Sequence, residues 1–178
     1  MERWARELLD FWFGLEREQW WKADPALDEE IRSRFLQLWK RQSERPVADF
    51  LASPGEALAA VILFDQLPRN MFRGHADSFA TDHMARAIAG AAVDRGWDDR
   101  LSPTERGFLY MPFQHSEDLG DQQRSLLLFT ALGDEYQLGF AVKHHDVVKR
   151  FGRFPHRNRI LGRAPRPEEI EAGDVVPW

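Results

Sequence analysis

Apolar residues recur along this chain at intervals of three and four, the spacing that lines one face of a helix, and strand-like alternation is almost absent. The first stripe, Trp4, Leu8, Leu9 and Trp12, predicts a helix over residues 2–13 stopped by Gly14. A second helix begins at Pro25 and carries Leu27, Ile31, Phe35, Leu38 and Trp39. Ser53-Pro54-Gly55-Glu56 and Ser102-Pro103-Thr104-Glu105 share one helix-start signature. In each, the serine accepts from the third backbone N–H and the glutamate reaches back to the serine's own N–H. Proline sits where a missing N–H costs nothing. These starts open helices predicted over residues 54–67, ending at Pro68, and from 103 to a stop before Pro112. Three more are expected over residues 77–95, 116–132 and 134–151, closed by Gly96, Gly133 and Gly152, with Ser116 as the cap of the second. A last short helix follows Pro167.

Seven or eight helices with short connections predict an all-α fold of stacked antiparallel hairpins, one helical domain over residues 1–178. The two serine-proline starts lie too far apart for a repeat of about 34 residues. The expected solenoid therefore has degenerate repeats.

Composition narrows the classes. Seven tryptophans and a 43% hydrophobic content are not those of a disordered chain. The absence of cysteine excludes disulfides, thiolate metal sites and a thiol nucleophile. The longest apolar run, residues 57–64, is too short to span a membrane, and the first ten residues hold no apolar signal core. A cytoplasmic location is expected. The net charge of −5 is unevenly spread, with seven Lys or Arg and no acid over residues 149–166. Such a segment points to a small anionic ligand or to internal pairing. The acidic remainder argues against a broad nucleic-acid footprint.

Three polar clusters depart from the pattern of apolar stripe and solvated face. Asp65-Gln66-Leu67-Pro68-Arg69-Asn70, followed by Arg73, closes the most apolar helix, so Asp65 and Gln66 are expected near the interior. A buried carboxylate there needs a partner, and Arg69 or Arg73 is within reach. His115-Ser116-Glu117-Asp118 comes second, its acids expected in the first turn, where the helix dipole favours them. The third is Arg153-Phe154-Pro155-His156-Arg157-Asn158, with His144 and His145 upstream on the preceding helix. Arginines in a tight turn can grip a carboxylate or phosphate with two parallel hydrogen bonds.

Together these motifs resemble a bacterial family catalogued as domain of unknown function nine-two-four. The resemblance rests on Asp10-Phe11-Trp12-Phe13-Gly14, Trp20-Trp21, the Asp65 to Asn70 run, the Tyr110 to Asp118 run, the octapeptide ending at Asn158, and Leu161-Gly162-Arg163. It implies a helical fold similar to tetratricopeptide-type stacks, and the family's histidine ahead of the arginine-rich turn corresponds to His144. It implies no activity.

Function therefore rests on the residues. The leading expectation is a groove in which Asp65, Gln66, Arg69, Asn70, Arg153, Arg157 and Asn158 bind a small anion or an acidic peptide, with no metal, cofactor or membrane involved. A hydrolase- or lyase-type enzyme is the alternative, with His115, His144 or His156 as acid or base and Glu117 or Asp118 orienting it. A purely structural role for all three clusters is the other.

Overall fold

The computed structural model describes residues 1–177, and all of its regular structure among them is helical. The chain, expected as one domain, forms two compact units, Met1–Leu109 and a second from Tyr110 onward.

In the first unit, α1 (Arg3–Phe13) and α2 (Pro25–Gln42) bury the stripes read from sequence: Ala5, Leu8 and Trp12 on one, Leu27, Ile31 and Phe35 on the other. Ser53 caps α3 (Pro54–Val61), accepting from the Glu56 N–H. The Glu56 carboxylate turns instead to the backbone N–H of Glu2. Residues 57–64 are fully buried, as expected of a helix apolar on every side, and α1 and α5 (Asp82–Asp94) pack against α3. Asp65 and Gln66 are accordingly interior, with Asp65 fully buried.

The helix does not end at Pro68. It widens into a π turn over Ile62–Gln66, where the Leu67 N–H reaches the Ile62 carbonyl five residues back, and continues as α4 (Leu67–Met71). A widened turn makes room for a pyrrolidine ring that would collide with a regular α turn. Proline offers no N–H to the Phe64 carbonyl four residues before it, and the Thr81 hydroxyl donates to that carbonyl at 2.7 Å. The indole N–H of Trp39 donates in turn to Thr81 Oγ1 at 3.1 Å. Thr81→Val keeps the shape and removes the donor. It is expected to cost about 1–3 kcal/mol in urea unfolding; an unchanged midpoint would show that the carbonyl is satisfied without it. Thr81 also marks why the next helix starts late. Residues 76–79 form a separate 3-10 turn, held by Ser78 Oγ on the Phe72 carbonyl at 2.6 Å, and α5 begins only at Asp82.

The second proline stop is overturned as well. α6 (Pro103–Gln114) opens on the full capping box of Ser102 and Glu105 and runs through Pro112. Pro112 forfeits one ladder bond, but its ring is buried, and the ladder resumes with the His115 N–H on the Met111 carbonyl at 2.9 Å.

In the second unit, α7 (Leu119–Leu132) and α8 (Glu135–Phe151) pack together, joined through Gly133 and Asp134. Gly133 and Gly152 close them in the left-handed conformation, at φ +76° and +68°. Val147, Val148, Phe151 and Phe154 form a core cluster, against which Ala172 of α9 (Pro167–Ala172) and Val175 pack. Among the described residues no helix is long and apolar enough to cross a membrane.

Candidate functional site

Each polar cluster is resolved within its own unit. In the first, Arg69 forks onto Asp82 at 2.8 and 2.9 Å, lies 3.4 Å from the Asp65 carboxylate, and donates to the Asp65 carbonyl. Burial opposes the Arg69 charge, but Asp65 and Asp82 outweigh it and hold the guanidinium firmly protonated. Gln66 Nε2 donates to Asp65 Oδ2 at 2.5 Å. One step further on, Asn70 and Arg73 both donate to Asp28 of α2, at 2.8 Å from Asn70 and at 2.7 and 2.9 Å from Arg73. The proposed ligand groups Asp65, Gln66, Arg69 and Asn70 are thus joined to one another and to carboxylates of their own unit.

Asp118, not Ser116, caps α7, accepting from the Asp121 N–H at 3.0 Å. Ser116 instead donates to the Asp121 carboxylate at 2.6 Å and accepts from the Asp118 N–H at 3.1 Å. The later start corrects the expected placement of both acids: Glu117 is left outside the helix and turns to the arginine-rich segment. It accepts from the Phe154 N–H at 2.7 Å and from the Arg163 fork at 2.6 and 2.9 Å. Burial works against its charge, but Arg163, the Phe154 N–H and Arg157 prevail and hold the carboxyl below its ordinary range.

Arg163 also donates to Asn158 Oδ1 at 3.0 Å, and Asn158 donates to Glu169 at 2.9 Å. Glu169, only 4% exposed, takes the Arg153 fork at 2.6 and 2.8 Å and the Arg166 N–H at 2.8 Å. The Arg153 guanidinium, acting against burial, brings the Glu169 carboxyl down to about 2. Glu117, Arg163, Asn158, Glu169 and Arg153 therefore form one continuous lattice that fastens the segment after α8 to the segment before α7 and to α9. Arg163 and Glu169 were not among the candidates. Glu169 reads in sequence as an ordinary first-turn acid behind Pro167, and nothing local announces that it is buried.

Arg157 is placed differently. It is 7% exposed, and its guanidinium lies 4.5 Å from the centroid of the fully buried Phe154 ring. The same ring has His144 at 5.6 Å on one side and His156 at 5.6 Å on another, and His115 lies 6.1 Å from His144. The structure thus gathers His115, His144, His156 and Arg157 about Phe154. The Phe140 carbonyl, 2.8 Å from His144 Nδ1, can only accept, so Nδ1 carries the proton. Burial, with help from His115 and Arg157, pushes His144 down to about 3. Burial and the Arg157 charge take His156 to about 4. Both rings are therefore neutral near pH 7. In the neutral ring the other nitrogen, His144 Nε2, carries the lone pair.

The Phe140 carbonyl, rather than Glu117 or Asp118, accepts from His144 Nδ1. Among the described residues no three His, Asp or Glu side chains are gathered to hold a metal ion. The first unit has an open surface groove of about 750 Å³ beside α1 and the start of α6, bordered by Asp10, Phe13, Trp20 and Glu105. None of the predicted site residues lines it.

The fold is similar to that of a protein of unknown function from Agrobacterium tumefaciens, with a TM-score of 0.89 and 41% sequence identity, over 94% of this chain and 95% of that one. No curated protein matches the chain. The model of a bacterial protein family of unknown function, DUF924, matches residues 8–172, a span that holds the π turn, the histidine cluster and Glu169 alike. The chain is a member of that bacterial family, DUF924.

Proposed function

We propose that the second unit recognises a small oxyanion, a carboxylate or a phosphate, free or at the end of an acidic peptide, in the cytoplasm. The observation that carries this reading is the buried Arg157 on the Phe154 ring, ringed by histidines that its own charge helps keep neutral. A cationic group in such surroundings is where an anion gains most. It meets the guanidinium charge in a poorly screened setting, and its arrival relieves the penalty on protonating His144 and His156. The lattice of Glu117, Arg163, Asn158, Glu169 and Arg153 holds the turn in shape, so little is lost to ordering on binding. The helical hairpin beneath it, α7 and α8, is the kind of unit from which tetratricopeptide-like stacks are built.

Binding is favoured over catalysis by the basicity of the candidate base. A histidine held at about 3 is a poor proton acceptor at neutral pH, where general bases work best near the operating pH.

Thermal unfolding with inorganic phosphate, acetate, citrate and an acidic tetrapeptide tests the reading. A ligand at a hundred times its Kd is expected to add about 2.7 kcal/mol to the wild type. Arg157→Lys keeps the charge and loses the planar fork, so the shift should largely vanish in that variant while it still folds. A panel in which no compound shifts the wild type would mean that the cluster serves the turn alone.

A further inference from the structure

Two of the runs that carry the family resemblance, residues 10–14 and Trp20-Trp21, take no part in the anion site, yet they bring Asp10, Phe13 and Trp20 to the groove of the first unit. Along α1, Arg6, Leu9, Asp10 and Phe13 recur at the spacing of one helix face, beside the stripe of Ala5, Leu8 and Trp12 that the core takes up. This second face is open: Leu9 and Phe13 are half-buried, and Arg6 and Asp10 are exposed. Gly14 turns the chain so tightly that a Cβ there would stand 2.8 Å from the Asp10 carbonyl. Trp20 then comes back onto α1, its indole N–H donating to the Trp12 carbonyl at 2.9 Å. Phe13 meets the Trp20 ring edge to face at 6.1 Å, and Phe108 does so at 5.1 Å. The aromatic wall is thereby fixed before any ligand arrives.

Charges of both signs border this wall. Arg3 and Glu7, at the same spacing on α1, close on each other at 2.7 Å, whereas no such pair joins Arg6 to Asp10 among the described residues. Glu105, from the start of α6, adds a second carboxylate, one oxygen of which accepts from the Ser102 N–H at 2.8 Å. The Met1 ammonium also borders the groove but is engaged by Glu56 at 3.3 Å. We infer that the groove binds a small zwitterion of the amino-acid kind with an apolar or aromatic side chain. Its carboxylate meets Arg6, its ammonium meets Asp10 in the added field of Glu105, and its side chain lies against Phe13 and Trp20. A lone cation is opposed by Arg6 and a lone anion by the two acids, while a molecule holding both charges finds a complement at each end. An ammonium near an aromatic face gains further from the negative face of the ring. At about 750 Å³ the groove has room for a free amino acid or a dipeptide.

Calorimetric titrations of the full chain with L-phenylalanine, phenethylamine and hydrocinnamate, at neutral pH and equal ionic strength, make the test. Phenylalanine is expected to bind about tenfold more tightly than either analogue, the worth of one hydrogen bond to a charged group. Glycyl-phenylalanine separates the two sources of the same chemistry: tighter binding than phenylalanine assigns the groove to a peptide, weaker binding to the free amino acid. Arg6 and Asp10 are exposed, so Arg6→Gln and Asp10→Asn leave the core intact. Asp10→Asn should bring phenylalanine down to the affinity of hydrocinnamate, and Arg6→Gln down to that of phenethylamine. Neither residue belongs to the second unit, so these losses locate the ligand at the groove and not at Arg157. Either analogue binding as tightly as phenylalanine overturns the zwitterion. So does wild-type affinity in both variants, or a failure of phenylalanine and the dipeptide alike to bind at millimolar concentration.

Discussion

Arg69→Leu is expected to destabilise the protein by about 3–5 kcal/mol, the usual cost of removing one partner from a buried ion pair. The reason is Asp65. Its side chain is fully buried, and the Arg69 guanidinium lies 3.4 Å from it. Leucine fills the volume but leaves that carboxylate either charged in an apolar setting or forced to take up a proton. Asp82, a half-buried acid that can turn to water, suffers less from the same loss. A double variant, Arg69→Leu with Asp65→Leu, should recover much of the deficit, because an ion pair replaced whole by apolar groups is often neutral or better. Chemical unfolding of the single and double variants measures both effects. A single variant within 1 kcal/mol of wild type would show that the Asp65 charge is compensated from elsewhere.

Acid should unfold this protein in a window set by its neutral histidines. His144 falls from the ordinary 6.5 to about 3 on folding, and His156 to about 4. A base whose pKa is lower in the folded state binds fewer protons there than when unfolded. Stability is therefore complete above pH 6.5 and is lost progressively as pH falls from 6.5 toward 3. At about 1.4 kcal/mol per pH unit for one fully depressed group, His144 alone accounts for several kcal/mol across that window. His144→Asn places an amide donor where Nδ1 meets the Phe140 carbonyl and cannot titrate. The variant should show a visibly flatter stability profile between pH 6 and pH 4, at some cost at pH 7.5. An acid limb of unchanged slope would remove His144 from the explanation, whatever the variant's stability at neutral pH. An anion bound at Arg157 should raise the folded-state values of both histidines and so shorten this limb from its acid end.

Helix starts were more legible in sequence than helix ends. Ser53 and Ser102 both cap as their spacing requires, although only at Ser102 does the glutamate reach back, since Glu56 turns to Glu2 instead. Ser116 has the same appearance but is out-competed by Asp118, whose carboxylate is the stronger acceptor for the first free N–H groups. Pro68 and Pro112 read as stops because a local rule takes no account of a widened turn or of a hydroxyl arriving from Thr81. The buried place of Asp65 could be read from the apolar run before it. Among the site residues, the ones that could be foreseen act over short spacings: His144 on the Phe140 carbonyl four residues back, and Arg157 over Phe154 three residues back. Those that could not act at long range. Arg153 meets Glu169 across sixteen residues, and Glu117 meets Arg163 across forty-six. No periodicity carries such pairings, because they depend on how the segment after α8 folds back.

The π turn at residues 62–66 amounts to one residue inserted into an otherwise regular helix. Deletion of any single codon in this stretch would close the wide turn into a regular one, leaving Arg69, Asn70 and Arg73 on nearly the same face but setting the Pro68 ring against the turn before it. Length within this segment should therefore be held constant among descendants, even where the letters change, and a gap placed here in an alignment of two members should be read as a sign of misalignment before it is read as history.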